Sequence, residues 1–325
     1  MKKNKATPAK MSPARSQTRR PPKPLLLLLA AGFFLCGAFL LYRFTRPYTP
    51  PSMHAEDIHF SENTQTIGGE DSEIINVLLV GQDRRITEER QRSDVMVLCT
   101  FNPEMEQITM TSFLRDLFVE IPGHGLDRLN EAYRLGGMDL LNETMALNFG
   151  LCINGNVEVD FSQFMKIIDE IGGVTVDVTA VEAEEINWML DIDDIHEGEQ
   201  TLTGIQALAY SRTRRIDSDF GRTGRQRKLL TSLYREVQDM QTTELVSLAA
   251  QILPDVNTNM SLMEIADYTT TLLPMVKSCE LSSVHIPVRD GFVERDVDGK
   301  WVLIPDMDLN RAVIREALTG EGGAA

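Results

Sequence analysis

Seven basic residues fall within the seventeen positions from 212 to 228, and six of them are arginines. An arginine side chain pairs with a phosphate through two parallel hydrogen bonds, whereas a lysine offers only a point charge. A solvated basic helix is the alternative interpretation of such a run. The preponderance of arginine favours a site that binds phosphate groups. The seven residues are Arg212, Arg214, Arg215, Arg222, Arg225, Arg227 and Lys228.

The order of residues in this cluster predicts how it would surround an anion. Asp219-Phe220-Gly221 precedes a predicted helix that begins near Arg222, so free backbone N–H groups and the positive end of the helix dipole would face the anion. Two groups of side chains would close around the anion. One group shares a face of the helix because of its i, i+3, i+4 spacing, and the other shares a side of an extended segment because its members are two residues apart. They are Arg222, Arg225 and Gln226 on the helix, and Arg212 and Arg214 before it.

A second charged group stands at the ends of the first predicted strands. Asp83 follows the first strand, Arg92 and Asp94 precede the second, and Arg115 and Asp116 follow the third. Ligands of α/β sheets bind where strands end, and carboxylates are the hard oxygen donors that Mg²⁺ prefers. Helix caps or salt-bridge partners are the alternative for such aspartates. Beside the arginines, we favour a metal and phosphate site in which Asp83 and Asp94 bind Mg²⁺, or Mn²⁺ in its place.

Apolar runs that alternate with amphipathic segments indicate the fold class. Continuous apolar runs predict buried strands, and strands alternating with helices indicate an α/β domain with α-β-α layers and a mixed central sheet. The acidic stretch Val181–Gln200 interrupts this alternation and is predicted to run over the surface. The predicted strands are 74–80, 95–101, 107–112, 156–159, 174–178 and 283–287, and the predicted helices are 138–148, 161–171, 222–240, 244–253, 262–273 and 307–318.

The N-terminal segment predicts a membrane anchor. From Leu25 to Tyr42 the chain has no charged residue, and as a helix this stretch spans roughly 27 Å, close to the hydrocarbon thickness of a bilayer. Basic residues precede it without any acidic one, so the positive-inside rule places the N-terminus in the cytoplasm. A cleaved signal peptide is the alternative, but no small-x-small cleavage site follows Tyr42.

The sequence therefore predicts a single-pass protein of the cell membrane whose globular part is extracytoplasmic. It divides into a basic cytoplasmic tail at 1–24, a transmembrane helix at 25–42, a linker at 43–72, a catalytic domain at 73–320 and a short tail at 321–325.

Charge and motif content exclude several classes of function. Ten of the 32 basic residues and none of the 48 acidic residues lie before position 47, so the remainder carries a formal net charge of −26. A nucleic-acid partner is therefore not expected. The chain has no P-loop, no G-x-S-x-G and no H-E-x-x-H. Cys99, Cys152 and Cys279 have no metal-ligand spacing and are expected to be buried thiols, with one disulfide among them as the alternative.

Seven motifs together resemble the LytR-CpsA-Psr family of cell-wall glycopolymer ligases. The resemblance covers about Ile74 to Met240, and seven motifs in one order are far more specific than any one alone. The motifs are INVLLVGQDRR, RSDVMVL, ITMTSFLRD, IPGHGLDRLNEAYRLGG, VDFSQFMKIIDEIGGV, LTGIQALAYSRTR and DFGRTGRQ.

This resemblance implies a phosphotransferase that moves a glycopolymer phosphate, of teichoic acid or capsule type, from an undecaprenyl-pyrophosphate carrier to peptidoglycan. Position by position, it implies that Asp83 and Asp94 bind Mg²⁺. Asp116 or Asp219 would accept the proton of the attacking hydroxyl, unless each only orients an arginine. The residues implied to surround the pyrophosphate are Arg92, Arg115, Arg212, Arg214, Arg222 and Gln226, with Arg115, Arg212 and Arg214 also stabilising the transferred phosphoryl group.

Two departures from the family pattern, Leu114 and Arg84, bear on substrate preference because neither removes a functional group. Apolar residues of Phe161–Ile171 and of Leu140–Phe149 are candidates for a lipid groove, with ordinary core packing as the alternative. Two other functions stay open: a protein that binds a lipid pyrophosphate without turnover, and a pyrophosphate hydrolase. The paired metal ligands favour an enzyme.

Overall fold

The computed structural model describes residues 52–55, 58–60, 66–69, 72–82, 92–217 and 219–321, all of which belong to one compact unit. Its centre is a six-stranded mixed sheet. In spatial order the strands are β10 (Asn257–Thr258), β7 (Gly155–Asp160), β2 (Ile75–Gln82), β3 (Ser93–Asn102), β4 (Gln107–Phe113) and β11 (Glu280–Ile286). The pairs β2–β3 and β3–β4 are antiparallel, whereas β2–β7 and β4–β11 are parallel.

One face of this sheet is covered by the helices α1 (Leu129–Phe149) and α8 (Met307–Thr319). Alternate residues of β2 point to this side, and Leu78 is completely buried among side chains of both helices. Burying a leucine contributes about 1.5–3 kcal/mol, so this layer supplies much of the stability of the domain. Helix α1 is interrupted at Gly137, whose φ of 72° lies in the left-handed region that favours glycine.

The opposite face carries the helices that position the charged residues. They are α2 (Phe161–Ile171), α4 (Gly204–Arg212), α5 (Asp219–Asp239) and α7 (Leu262–Ser278). Helix α2 begins with a reciprocal capping box between Asp160 and Gln163 and ends at Gly172, which has a φ of 96°. The predicted helix 161–171 is therefore confirmed at both ends by local capping chemistry.

Smaller elements complete the domain. Strands β8 (Val174–Val178) and β9 (Gly198–Leu202) form an antiparallel pair linked by α3 (Ala180–Leu190). A second sheet contains β1 (Ser52–Met53), β12 (Phe292–Val297) and β13 (Lys300–Pro305). The remaining elements are the hairpin β5 (Phe118–Ile121) and β6 (Gly125–Arg128), the helix α6 (Thr242–Ile252) and a 3-10 turn at Leu253–Asp255.

Two predictions about local structure are wrong. The acidic stretch Val181–Gln200 does not interrupt the alternation of strands and helices, because most of it forms α3 and the start of β9. Glu182 closes a capping box with Thr179, and Ile186 is fully buried. Arg212 is the last residue of α4 rather than part of an extended segment, since helix α4 continues to it and Thr213 caps the end.

The predicted linker at 43–72 also needs a correction in its described parts. Ile58 and Ile67 are buried in the cores of the domain, and the backbone N–H of Ile67 donates to the carbonyl of Gly150 over 2.7 Å. Strand β1 pairs with β12. Burial of these apolar side chains anchors the segment to the domain, so ordered structure begins before the predicted start at Glu73.

The membrane anchor at 25–42 lies outside the described residues and stays a prediction. Among the residues that are described, no helix combines the length and apolar character needed to cross a bilayer.

Cys99, Cys152 and Cys279 are free thiols, and burial raises the pKa of Cys99 to about 12. The prediction of buried thiols is confirmed for Cys279, and the other two are partly buried.

Candidate active site

A polar pocket of about 280 Å³ lies where several elements meet, at the start of β3, after the end of β4, at the end of α4 and in the first turns of α5. We call it the arginine pocket. It brings together six of the residues that the sequence singled out, from segments up to 132 positions apart. Its lining comprises Asp94, Val95, Arg115, Phe161, Met189, Ser211, Arg212, Arg214, Arg222 and Gln226.

Arg115 is the hub of an ion-pair network in this pocket. Its guanidinium donates to Asp94 Oδ1 over 2.8 Å, to Asp116 Oδ2 over 3.4 Å and to Asp219 Oδ2 over 3.4 Å. Burial alone would lower the pKa of Arg115, but the hydrogen bond to Asp94 and the charges of Asp116 and Asp219 raise it. The network therefore holds one guanidinium in a fixed orientation at the pocket wall.

Arg222 is the buried cation of the pocket. Only 5% of its side chain is exposed, and neither Nε nor Nη1 makes a hydrogen bond, although Nη1 lies 3.2 Å from Asp219 Oδ1. Burial, reinforced by the nearby charges of Arg115 and Arg214, lowers the pKa of Arg222 to about 10. A buried guanidinium with unused N–H groups is costly unless a ligand satisfies it, so this arrangement fits an anion bound in the pocket.

Arg212, Arg214 and Gln226 complete the polar lining. The guanidinium of Arg212 lies 4.5 Å from the ring centroid of Phe161, which holds it by a cation–π contact. The side chain of Gln226 donates to the carbonyl of Ser211 over 3.4 Å and so ties α5 to the end of α4. Arg212 and Arg214 are exposed, so they remain accessible to a ligand that enters from solvent.

Asp116 and Asp219 form a hydrogen-bonded pair of carboxyl groups at the edge of this network. Burial raises the pKa of Asp116 despite the charges of Arg115 and Arg128, and the neighbouring Asp219 raises it further. Burial also acts on Asp219, but Arg222, Arg115 and the hydrogen bond from Asp116 together lower its pKa. The environment thus moves the two pKa values apart, and Asp116 is the carboxyl group that holds a proton more readily.

The other residues singled out by the sequence lie elsewhere. Arg92 bonds the buried carboxylate of Glu131 and is 56% exposed, outside the lining of the arginine pocket. Arg225 does not share the ligand-facing side with Arg222, because its guanidinium makes two hydrogen bonds to Asp217, of 2.7 and 2.9 Å. Asp83 lies outside the described residues.

Sequence reasoning overlooked several residues of the site. Arg128, whose Nη1 is 3.5 Å from Asp116 Oδ1, was not singled out, although it lies in one of the seven motifs. Met189 enters the lining from α3, in the acidic stretch that was predicted only to run over the surface. The capping-box spacing of Thr179 and Glu182 was the signal that could have revealed this helix.

An apolar pocket of about 260 Å³ adjoins the arginine pocket, with which it shares Val95, Phe161, Ser211 and Gln226. It lies between the face of the sheet that carries Leu79, Val95 and Val97 and the helices α2, α4 and α5. Almost all of its lining is aliphatic or aromatic, from residues such as Phe164, Ile167, Leu230 and Leu233. Of the two candidate groove segments, residues of Phe161–Ile171 line this pocket, whereas Leu141, Met145 and Phe149 belong to the core.

The described residues supply one carboxylate, that of Asp94, as a candidate metal ligand in the arginine pocket. The described residues contain no group of three or more His, Cys, Asp or Glu side chains placed to hold a metal. One carboxylate beside a phosphate-binding pocket fits Mg²⁺, because this ion commonly combines one or two carboxylates with phosphate oxygens and water.

An anion pocket that opens into an apolar pocket suits an amphiphile with a charged head and a hydrocarbon tail, and the layered α/β domain places both on one face of its sheet. This chain belongs to the LytR_cpsA_psr family, whose sequence pattern matches residues 47–317.

Known proteins support this membership over most of the chain. The Polyisoprenyl-teichoic acid--peptidoglycan teichoic acid transferase TagU of Oceanobacillus iheyensis is 30% identical over 306 residues, which are 91% of this chain and 90% of the relative. The solved structure "TagT bound to LIIa-WTA" matches with a TM-score of 0.65 and 26% identity, over 81% of this chain and 97% of that one.

A further solved structure concerns a lipid complex. The LytR-CPS2A-psr family protein YwtF (TagT) with bound octaprenyl pyrophosphate lipid matches with a TM-score of 0.61 and 25% identity. The match covers 80% of this chain and 99% of that one. The α/β class and the mixed central sheet predicted from the sequence are confirmed by these structures and by the strand order described above.

Proposed function

We propose that this protein is a phosphotransferase that attaches an anionic glycopolymer, carried on a polyprenyl pyrophosphate, to peptidoglycan. The observation that carries this proposal is the buried, under-bonded Arg222 in an arginine pocket that opens into an apolar pocket. The names of the relatives support a teichoic acid as the glycopolymer and peptidoglycan as the acceptor.

The two pockets divide the donor between them. The pyrophosphate would lie among Arg115, Arg212, Arg214 and Arg222, whose guanidinium groups match phosphate oxygens in pairs. The polyprenyl tail would enter the apolar pocket, where each buried methylene group contributes about 0.8 kcal/mol. The donor is thus held at both ends, with its pyrophosphate at the shared residues Phe161 and Gln226.

Asp94, together with Asp83, would hold Mg²⁺ against the pyrophosphate, where the ion would neutralise charge on the lipid phosphate that leaves. In the structure Asp94 accepts a hydrogen bond from the guanidinium of Arg115. Asp94 could therefore keep Arg115 oriented while its carboxylate also faces the pyrophosphate.

The reaction is a phosphoryl transfer to a sugar hydroxyl. The hydroxyl oxygen forms a bond to the phosphorus next to the glycan, and the bond from that phosphorus to the bridging oxygen breaks. The electron pair leaves with polyprenyl monophosphate, and the glycopolymer becomes joined to the acceptor through a phosphodiester. Arginines that neutralise the transferred oxygens supply most of the catalysis in such reactions.

Asp116 is the member of the carboxyl pair whose pKa is better suited to accepting a proton. A general base works best when its pKa approaches the operating pH, and the pKa of Asp116 is raised while that of Asp219 is lowered. Asp219 faces Arg115 and Arg222 and orients both. The proton of the attacking hydroxyl would therefore pass to Asp116.

The predicted anchor at 25–42 fits this chemistry, because a polyprenyl carrier stays in the bilayer. With the N-terminus in the cytoplasm, the domain would meet the pyrophosphate at the outer surface of the cell membrane. A reporter fused to either terminus and tested for accessibility in intact cells would establish this orientation.

Reconstitution of the full chain with Mg²⁺, a lipid-linked glycan pyrophosphate and peptidoglycan oligomers tests the proposal. Wild type should yield glycan attached to peptidoglycan together with polyprenyl monophosphate. Arg115→Ala and Asp94→Ala should abolish the product, and Arg315→Ala on α8, away from the lining of both pockets, should not. Bound lipid without product in wild type would favour a binding protein instead.

A further inference from the structure

A third pocket lies on another side of α5, next to the arginine pocket. It has a volume of about 620 Å³, and we call it the aromatic pocket. It is larger than either pocket assigned to the donor, and the proposed transfer reaction gives it no role so far. Its lining includes Phe220, Thr223, Arg227, His285, Arg289 and Phe292.

Aromatic rings form one wall of this pocket. Phe220 and Phe292 pack with their ring centroids 5.2 Å apart at an angle of 31°, and His285 meets Phe220 nearly edge-on at 6.0 Å. Burial, together with the charge of Arg227, lowers the pKa of His285, so the imidazole stays neutral at pH 7. Flat apolar surfaces of this kind bind the C–H faces of ring-shaped ligands.

The polar part of the pocket selects for negative charge. Arg227 and Arg289 both line it, and its described lining contains no aspartate or glutamate, although the chain as a whole is strongly acidic. The Nε atom of Arg227 is buried and has no hydrogen-bond partner, while Nη1 lies 3.4 Å from His285 Nδ1. Arg289 is exposed and can reach a ligand directly.

The first turn of α5 places the aromatic pocket beside the carboxyl pair. Asp219 and Arg222 face the arginine pocket, whereas Phe220 and Thr223 line the aromatic one. Asp219 and Phe220 are consecutive residues, and so are Arg222 and Thr223. Because successive Cα atoms are about 3.8 Å apart, the two pockets are lined by neighbouring residues of the same helix turn. On the other side, the carbonyl of Asp116 accepts a hydrogen bond from the backbone of Leu303, in the strand that pairs with the one bearing Phe292.

We propose that the aromatic pocket is the acceptor subsite for peptidoglycan. A sugar ring of the acceptor packs on Phe220 and Phe292, and carboxylates of its peptides pair with Arg227 and Arg289. Peptidoglycan suits this chemistry because it combines N-acetylated sugar rings with peptides that end in carboxylates. This inference rests on the proposed transferase function. It places the attacking hydroxyl next to Asp116 and Asp219, on the side of the carboxyl pair that the donor leaves open.

The test separates the acceptor from the donor in the kinetics of the full chain. Arg289→Gln should raise the KM for peptidoglycan oligomers about tenfold or more, as expected for the loss of a charge-assisted contact, with the KM for the lipid-linked donor unchanged. Arg289→Lys should restore part of the loss, because it keeps the charge without the paired hydrogen bonds. The matched control is Arg295→Gln on β12, whose described hydrogen bond is to the carbonyl of Glu294.

Direct binding of soluble peptidoglycan oligomers to the full chain provides a second readout that needs no turnover. Arg289→Gln should weaken this binding by a similar factor, while the thermal shift produced by farnesyl diphosphate stays at the wild-type value. An unchanged acceptor KM and Kd in Arg289→Gln would overturn the inference. A rise in the donor KM alone would also overturn it, since the pocket would then hold the donor's own glycan.

Failure of the proposed function gives a different pattern. Wild type would form no glycan–peptidoglycan product, yet the binding measurement would still show whether Arg289 contributes to holding the oligomer. A wild-type chain that binds no oligomer would overturn the acceptor assignment.

Discussion

Replacement of Arg222 by methionine should stabilise the ligand-free domain, whereas the same replacement of Arg225 should destabilise it. Both arginines lie on α5, three residues apart, with 5% and 4% of their side chains exposed. They differ in their partners. Arg225 donates to both carboxylate oxygens of Asp217 and to the carbonyl of Thr213, while Nε and Nη1 of Arg222 lack hydrogen bonds.

The magnitude follows from the pKa of Arg222, which is lowered from 12.5 to about 10. At 1.36 kcal/mol per pKa unit, the buried cation destabilises the fold by about 3 kcal/mol. Folded and unfolded chains both hold this proton at pH 7, so the whole cost is present there and is relieved only as the pH rises through 10. The lowered pKa already includes the attraction of Asp219, so we expect a net gain of about 1–3 kcal/mol for Arg222→Met.

Thermal unfolding of the full chain in detergent measures this effect. A gain of 1 kcal/mol raises Tm by about 2–4 °C in a domain of this size. Arg225→Met should lose about 3 kcal/mol, because it leaves a carboxylate and a buried carbonyl without their partner. Farnesyl diphosphate should raise Tm in wild type and in Arg225→Met but not in Arg222→Met.

Two outcomes would refute this reasoning. Arg222→Met could lower Tm as much as Arg225→Met does, which would make Arg222 a structural residue. Arg222→Met could also keep the full thermal shift with farnesyl diphosphate, which would place the anion elsewhere.

Three further predictions concern the proton acceptor, the apolar pocket and the metal ligand. Transfer should fall as the pH drops through the raised pKa of Asp116, because a protonated carboxyl accepts no proton. Asp219→Asn should move this acid limb of the kcat/KM profile to lower pH, because it removes a neighbour that raises the pKa of Asp116. An acid limb at the same pH in both proteins would assign the titration to another group. Leu230→Trp should fill part of the apolar pocket and raise the KM for a polyprenyl donor about tenfold. The binding of inorganic pyrophosphate should stay unchanged. Equal losses of affinity for both ligands would contradict the division of the donor between two pockets. Asp94→Asn should raise the Mg²⁺ concentration needed for half-maximal transfer, measured by metal titration, whereas the same requirement in both proteins would exclude Asp94 as a ligand.

Local sequence patterns predicted much of the fold. Continuous apolar runs identified β2 and β3, because a strand buried on both faces is apolar throughout. Of the other central strands, only the two-residue β10 was not predicted. The β12–β13 hairpin was missed although its turn, Asp298-Gly299, is a strong hairpin signal. Both residues have positive φ, of 51° and 79°, as a type I′ turn requires. Helix α3 was missed because its many acidic residues resembled a surface loop.

The residue types of the arginine pocket were predictable, but their partners were not. Helical spacing placed Arg222, Arg225 and Gln226 on one side of α5, yet Asp217 draws the guanidinium of Arg225 away from the pocket. That pairing depends on how the loop before α5 folds back, which periodicity does not encode. Arg92 was likewise assigned to the pyrophosphate, whereas in the structure it bonds Glu131, 39 positions further along the chain.

Transfer in water enriched with ¹⁸O tests the central claim most directly. The full chain is incubated with Mg²⁺, lipid-linked glycan pyrophosphate and peptidoglycan oligomers, and the products are weighed by mass spectrometry. A transferase joins the glycan phosphate to the sugar hydroxyl, so the glycan–peptidoglycan product should carry no ¹⁸O and should vanish in Arg115→Ala. Free glycan phosphate that carries one ¹⁸O, without any peptidoglycan adduct, would contradict the account and identify a hydrolase.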